Sequence, residues 1–441
     1  MLNLFLLAFG VAGWNINQFG AKPDEVSLKA ALANGEAFNK AVFAANSSES
    51  DKTAVIPGGR FYVMLPAGMI SNLVNVVIVV DGKVEAWHGD HADWPKGSSG
   101  GVLSLFSIEY TQNLTITGNG IVNGYGYSWW WHTILTGKDN RPNLLSLGHA
   151  VDTLIEGVTF KNSPQYHLVL YDMLRATVQS LVIHVDITND RAFLNWIPTF
   201  PLNTDGIDIS GKDIYFRNLT IQNFDDTIAV KPTHEGSGLY TNCTENILVE
   251  NCRIKYGVGM SIGSVPPNDN LNCVRNVTFR GIYFDTPLKA IYIKPNPGTH
   301  GKGLISNIVY ENIEIHNALW WAIWIGTQQQ HQPGGWAGTG CSFFYPLPGT
   351  KCPTDPLVTV DSVTLRNVNI YGGALNPGIL ICNVTNPCTN FLFDNVNVFN
   401  RSHFPVAEGY MCRHIEGYAR NSNVYPNCLT DITAKKGFLE Y

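Results

Sequence analysis

The chain is 441 residues long, with 15% charged residues, 42 glycines and a formal net charge of -6. That length admits one large domain or several smaller ones, and low charge with many glycines favours short strands and turns over a helical bundle. The acidic balance excludes the basic face expected of a nucleic-acid binder, and nothing after the first residues approaches the roughly 18 unbroken apolar residues of a membrane span.

Residues Leu2 to Val11 form a short apolar run followed by Ala12-Gly13, which reads as a secretory signal ahead of a mature chain from residue 14 to 441. No Lys or Arg precedes the run, so a buried first strand is the alternative. A helix within Ser27 to Ala45 is expected to cap the open end of a strand stack. Seven Asn-X-Ser/Thr sequons, at Asn46, Asn113, Asn218, Asn242, Asn276, Asn383 and Asn400, are candidate glycan acceptors on an exported surface.

One phrase of apolar alternation then recurs at Thr153 to Phe160, Asp213 to Ile221, Asn246 to Ile254, Asn276 to Phe284, Asn307 to Ile315, Ser362 to Ile370 and Asn390 to Val398. From Asp213 onward the starts are 33, 30, 31, 55 and 28 residues apart, as when each repeat is one turn of a solenoid. The long gap holds an insertion, Gln328 to Pro353. Strands of about four or five residues without two-residue hairpin turns favour an all-β, right-handed parallel β-helix in one domain, with Asn residues laddering at its bends.

Asp205, in Asn203-Thr204-Asp205-Gly206, and the pair Asp225-Asp226 lie 20 residues apart within this repeat. If the coils stack them, three carboxylates share one groove. In an ideal strand Asp225 and Asp226 point to opposite faces, so a bend must fall there for both to reach it. Crowded carboxylates raise the pKa of one member, leaving an acid to protonate a leaving oxygen and a base to activate water, the equipment of a glycosidase. The alternative is that these Asp residues accept hydrogen bonds from turn amides.

Four ordered blocks resemble glycoside hydrolase family 28, the polygalacturonase-like enzymes: Asn203 to Asp208, Asp225 to Lys231, Gly257 to Ser264 and Tyr292-Ile293-Lys294. Phe19 to Asp24, Gly124-Tyr125-Gly126 with Trp129-Trp130, and Asn162-Ser163-Pro164 extend the resemblance into the early coils. It implies a right-handed parallel β-helix and hydrolysis with inversion. Asp225 would be the general acid, and Asp205 and Asp226 would position and deprotonate the attacking water. An inverting pair stands about 6.5 to 9.5 Å apart, so Asp225 is expected to stand away from the other two. Val258 occupies the place of the family's His, and Tyr292 that of its Arg. Lys294 would then grip a uronate alone, with Tyr292 offering a face to a neutral sugar.

Nine cysteines suit an oxidising compartment. Cys341 with Cys352, Cys382 with Cys388 and Cys412 with Cys428 read as local staples, and Cys252 with Cys273 is the expected fourth bridge, leaving Cys243. Trp129-Trp130-Trp131 and Trp320, Trp321, Trp324 and Trp336 either line sugar subsites or pack; alternate residues of each cluster are expected to face opposite sides of a strand, so about half of them read as packing. Lys231 and Lys255 are either site cations or solvated, and His167 and His184 read as structural. The expectation is a secreted, monomeric hydrolase of pectic polysaccharide with no metal, cofactor, nucleic acid or membrane partner. Rhamnogalacturonan or another modified pectin is the alternative substrate. A polysaccharide lyase and a non-catalytic carbohydrate binder are the competing classes.

Overall fold

The computed structural model describes residues 13–98, 100–187, 201–233, 238–240, 242–329, 340–342, 344–400 and 409–433. Its strand ladders run parallel from coil to coil, as a β-helix requires. The repeated phrase occupies long strands such as Asn272–Asp285, Gly303–His316 and Val358–Tyr371. Each is bent twice, at positions with positive φ five residues apart: Asn276 and Gly281, Asn307 and Asn312, Ser362 and Asn367, Asn390 and Asn395. Asn and Gly tolerate that left-handed conformation best, which is why Asn opens so many repeats. The expected short strands are thus the straight segments of longer kinked ones.

The bend asparagines ladder as expected. Asn246 donates to Asp213, Asn276 to Asn246 and Asn307 to Asn276 at 2.8, 3.3 and 3.2 Å, and a second column links Asn367 to Asn312 and Asn395 to Asn367. Between the columns, register stacks Val249, Phe279, Tyr310, Leu365 and Phe393 on successive coils, and all five are buried. Burial of such a side chain stabilises the fold by about 1.5–3 kcal/mol.

The helix expected within Ser27 to Ala45 spans Leu28–Ser47, with the Ser27 side chain accepting from the Ala30 N–H. Its inner face is mostly small (Ala30, Ala31, Ala37, Ala41, Ala45), so it lies close to the first coils, where Phe38 meets the Phe106 ring at 4.8 Å. One hydrophobic cluster continues from Ile16 beneath this helix to Leu429 in the last coils.

Two expectations are corrected. Cys273 pairs with Cys243, not Cys252. The ladder sets Thr244 opposite Val274, so Cys243 and Cys273 face each other one coil apart, while Cys252 turns into the core as a buried free thiol. The other three expected bridges are present. Second, Trp129, Trp130 and Trp131 lie on a helix, Tyr127–Thr136, not a strand. Trp129 and Trp130 are buried there, with Trp129 stacked on His91 at 3.7 Å. The signal-like residues up to Ala12, together with Trp336, fall outside the described residues.

Candidate active site

The site forms along the column of strands Ile207–Arg217, Ile228–Val230, Met260–Val265, Ile291–Pro295 and Trp321–Ile325. Ile207 pairs with Ile228, Ile228 with Met260 and Met260 with Ile291, so the residues just ahead of each strand stack as well. Asp225 and Asp226 fall in a bend ahead of Ile228, as is required for both carboxyls to lie on the same side of the strand. Asp205, Asp225 and Asp226 each bring a carboxylate oxygen within 4.8 Å of the others.

Backbone anchoring fixes this cluster. The Asn223 Nδ2 donates to the carbonyls of Thr204, Asp225 and Asp226 at 3.1, 2.8 and 2.8 Å, tying the two acidic turns together. His167 is structural, as expected: it is buried, its Nδ1 donates to the Asp205 carbonyl at 2.9 Å and its Nε2 accepts from the Ser163 N–H. Gly257, at φ 73°, passes where a Cβ would meet Asn223 Oδ1 at 2.6 Å, so the third block needs glycine at this turn.

The three carboxyls differ in their partners. Asp225, half-buried, accepts from the backbone N–H groups of Asn203 and Asp226 at 3.0 and 2.9 Å. Burial and the Asp226 charge nevertheless hold its pKa above the ordinary value. Asp205 is 3% exposed, and burial followed by the Asp225 charge pushes its pKa up further. Burial disfavours the Asp226 anion too, but the ammonium groups of Lys294 and then Lys231 outweigh it and hold that pKa low. Asp226 also accepts from Ser261 Oγ at 2.6 Å. The cluster therefore sets one carboxyl that ionises more readily than usual beside two that give up their protons less readily.

Several assignments change with this geometry. Lys294, expected to face a uronate, bonds to Asp226 Oδ2 instead. Tyr292, expected to offer an open face, is 4% exposed, and its hydroxyl accepts from the Gln329 N–H at 2.9 Å. Val258 packs in the same apolar cluster with Tyr292, Trp321 and Trp324. The reason is local: Ile291 and Ile293 point into the helix core, and the outward Tyr292 is roofed by the aromatic strand Trp321–Ile325 of the next coil. Asp225 brings one carboxylate oxygen within 4.8 Å of one from each of Asp205 and Asp226.

Residues not singled out from sequence join the site. Asp208 pairs with Lys231, which the sequence left as either a site cation or a solvated one, at 3.5 Å, and both line a cavity of about 280 Å³ with Tyr166, Ser264 and Asn272. The Asp205-Gly-Ile-Asp208 and Asp226 to Lys231 spacings were the available signals. The three carboxylates are also close enough to ligate a metal ion, but Lys294 already supplies positive charge to Asp226 and backbone amides occupy both Asp225 oxygens.

Comparison with known proteins bears on this site. The model for "Glycosyl hydrolases family 28" matches residues 56–409. A probable polygalacturonase of Arabidopsis thaliana is 28% identical over 69% of the chain, which spans 58% of that relative's length. A probable rhamnogalacturonase A of Aspergillus oryzae is 24% identical over 96% of the chain and 78% of its own. In fold, the chain is similar to an endo-xylogalacturonan hydrolase from Aspergillus tubingensis, with a TM-score of 0.60 at 17% identity, covering 90% of this chain and 94% of that one.

Proposed function

The chain belongs to glycosyl hydrolases family 28, and from that membership we propose that it hydrolyses α-glycosidic bonds of a pectic polysaccharide. The carrying observation is the convergence of Asp205, Asp225 and Asp226, in differing electrostatic settings, within 4.8 Å of one another. Asp225, the most exposed of the three, is the group a leaving oxygen reaches, and its raised pKa keeps a proton there. Asp226, ionised beside Lys294, takes a proton from water; Asp205 orients that water.

A water route fits better than a covalent one. A nucleophilic carboxylate must present a free, ionised oxygen to the sugar. Pairing with Lys294 and the bond from Ser261 weaken Asp226 as a nucleophile towards carbon while each oxygen keeps a lone pair for a water proton, and burial raises the Asp205 pKa. Hydrolysis with inversion is therefore proposed. Four disulfides suit action outside the cell.

Rhamnogalacturonan is the second reading, supported by the Aspergillus oryzae relative and by the engagement of Lys294 with Asp226. Incubation with homogalacturonan and with rhamnogalacturonan separates the two. New reducing ends of inverted anomeric configuration, observed by NMR during the first turnover, are expected on one polymer. An unsaturated, ultraviolet-absorbing product marks a lyase, and no cleavage of either polymer contradicts the reading.

A further inference from the structure

Asp208 is a further buried carboxyl beside the catalytic three. In the segment Asp205-Gly206-Ile207-Asp208, Ile207 and the following Ile209 point into the core, which turns Asp208 outward at the start of its strand. The bend ahead of Ile207 needs Gly206, because a Cβ there would meet the Thr227 carbonyl oxygen at 2.3 Å. Asp205 and Asp208 are only 3% and 8% exposed.

The two side chains are hydrogen-bonded to each other. An ionised carboxyl only accepts, so a bond between two carboxyls requires one of them to carry a proton. Among the described residues no donor reaches the buried Oδ1 of Asp205 or the buried Oδ1 of Asp208, and buried anions left without donors are costly. One proton held between the carboxyls relieves both. The other Asp208 oxygen, Oδ2, lies 3.5 Å from the Lys231 ammonium, which favours the anion on Asp208 and leaves the proton with Asp205. Burial raises the pKa of both groups; the Asp225 charge carries Asp205 further, whereas Lys231 holds Asp208 back.

We propose that Asp205 and Asp208 share one proton throughout turnover, and that Asp208, anchored by Lys231, is a positioning residue that keeps Asp205 neutral and directs its remaining oxygen at the attacking water. This rests on the pectic hydrolase reading and deepens it. With Asp205 already protonated, Asp226 alone takes the proton of the water while Asp225 gives one to the leaving oxygen. The shared proton is neither consumed nor supplied. Holding it on the pair also removes one anion from beside Asp226, which lets that carboxyl ionise. The charged and titratable groups facing the pair are Asp225, Asp226, Lys231, Lys294 and Tyr166.

The test is NMR of the side-chain carboxyl carbons in protein made with isotopically labelled aspartate, followed with pH and assigned through Asp205→Asn and Asp208→Asn. In the wild type the Asp205 and Asp208 carbons should report the same two titration steps, as a pair sharing a proton does. In Asp208→Asn the Asp205 step should fall towards the ordinary carboxylate value, and kcat should drop by about tenfold or more with KM changing less. Should Asp208→Asn not fold, Asp205→Asn decides: its amide donates to Asp208, whose carbon should then titrate in one step, lower than in the wild type. Independent steps for the two carbons in the wild type, or an Asp205 step or a kcat unmoved in Asp208→Asn, overturns the proposal. Turnover of pectic polymers by the wild type is measured in parallel: its absence counts against the hydrolase reading, while the carbon titrations still decide whether the proton is shared.

Discussion

The ammonium of Lys294 is bonded to Asp226 Oδ2 where the two side chains are only 6% and 3% exposed. Replacing Lys294 by Met leaves a buried carboxylate without its counter-charge, which costs about 3–5 kcal/mol of stability. Asp226 ionises less readily without that neighbour, so the acidic limb of the pH–rate profile should move to higher pH. An unshifted limb in Lys294→Met would show that Asp226 is not the base.

Asp205 acts on stability in the opposite sense. Its folded-state pKa is raised, so its favourable contribution is complete below the ordinary carboxylate value of about 3.9 and is lost as pH rises through the folded value. Asp205→Asn removes the titrating group. The variant should melt above the wild type at about pH 7, and that advantage should shrink towards about pH 3, while hydrolysis is lost. Thermal unfolding at the two pH values checks this; an Asp205→Asn protein no more stable at neutrality would contradict it.

Asn223 holds three carbonyls through one amide nitrogen. Asn223→Ala leaves buried acceptors unpaired and should cost about 2–4 kcal/mol. The turns carrying Asp205 and Asp225 would loosen, and kcat should fall by about a hundredfold. Denaturant unfolding and steady-state kinetics measure the two effects separately.

Cys243 and Cys273 close a 30-residue interval, for which loop entropy corresponds to about 3–4 kcal/mol. Paired replacement by Ser should destabilise the fold by that order. Burial pushes the Cys252 thiol up to about 12, so that thiol should resist alkylation in the native protein and react after unfolding without reduction. Rapid native alkylation of Cys252 would contradict its placement in the core.

Much of this architecture was legible because a solenoid repeats its bends. Asn276 and Asn307 open their repeats since left-handed backbone at each corner favours them, and Ser27 marked the start of the capping helix through the cap it makes. The Cys243–Cys273 bridge was also available: the repeat starts Asn246 and Asn276 are 30 residues apart, the same offset as the two cysteines. Cys252, the partner expected instead, lies on the buried face of its strand. The surroundings of Tyr292 were not legible, because its cover comes from Trp324 on the following coil and Gln329 beyond it.

The most direct test of the central claim is the rate of reducing-end release by Asp225→Asn on the polymer the wild type cleaves. The substitution removes the proton donor and keeps the acceptor oxygen that can bond the Asn203 or Asp226 N–H. A fall in kcat of about a thousandfold or more, in a protein that still unfolds in one cooperative transition, is the predicted result. A folded Asp225→Asn protein that turns over at the wild-type rate would contradict the assignment of Asp225 as the acid.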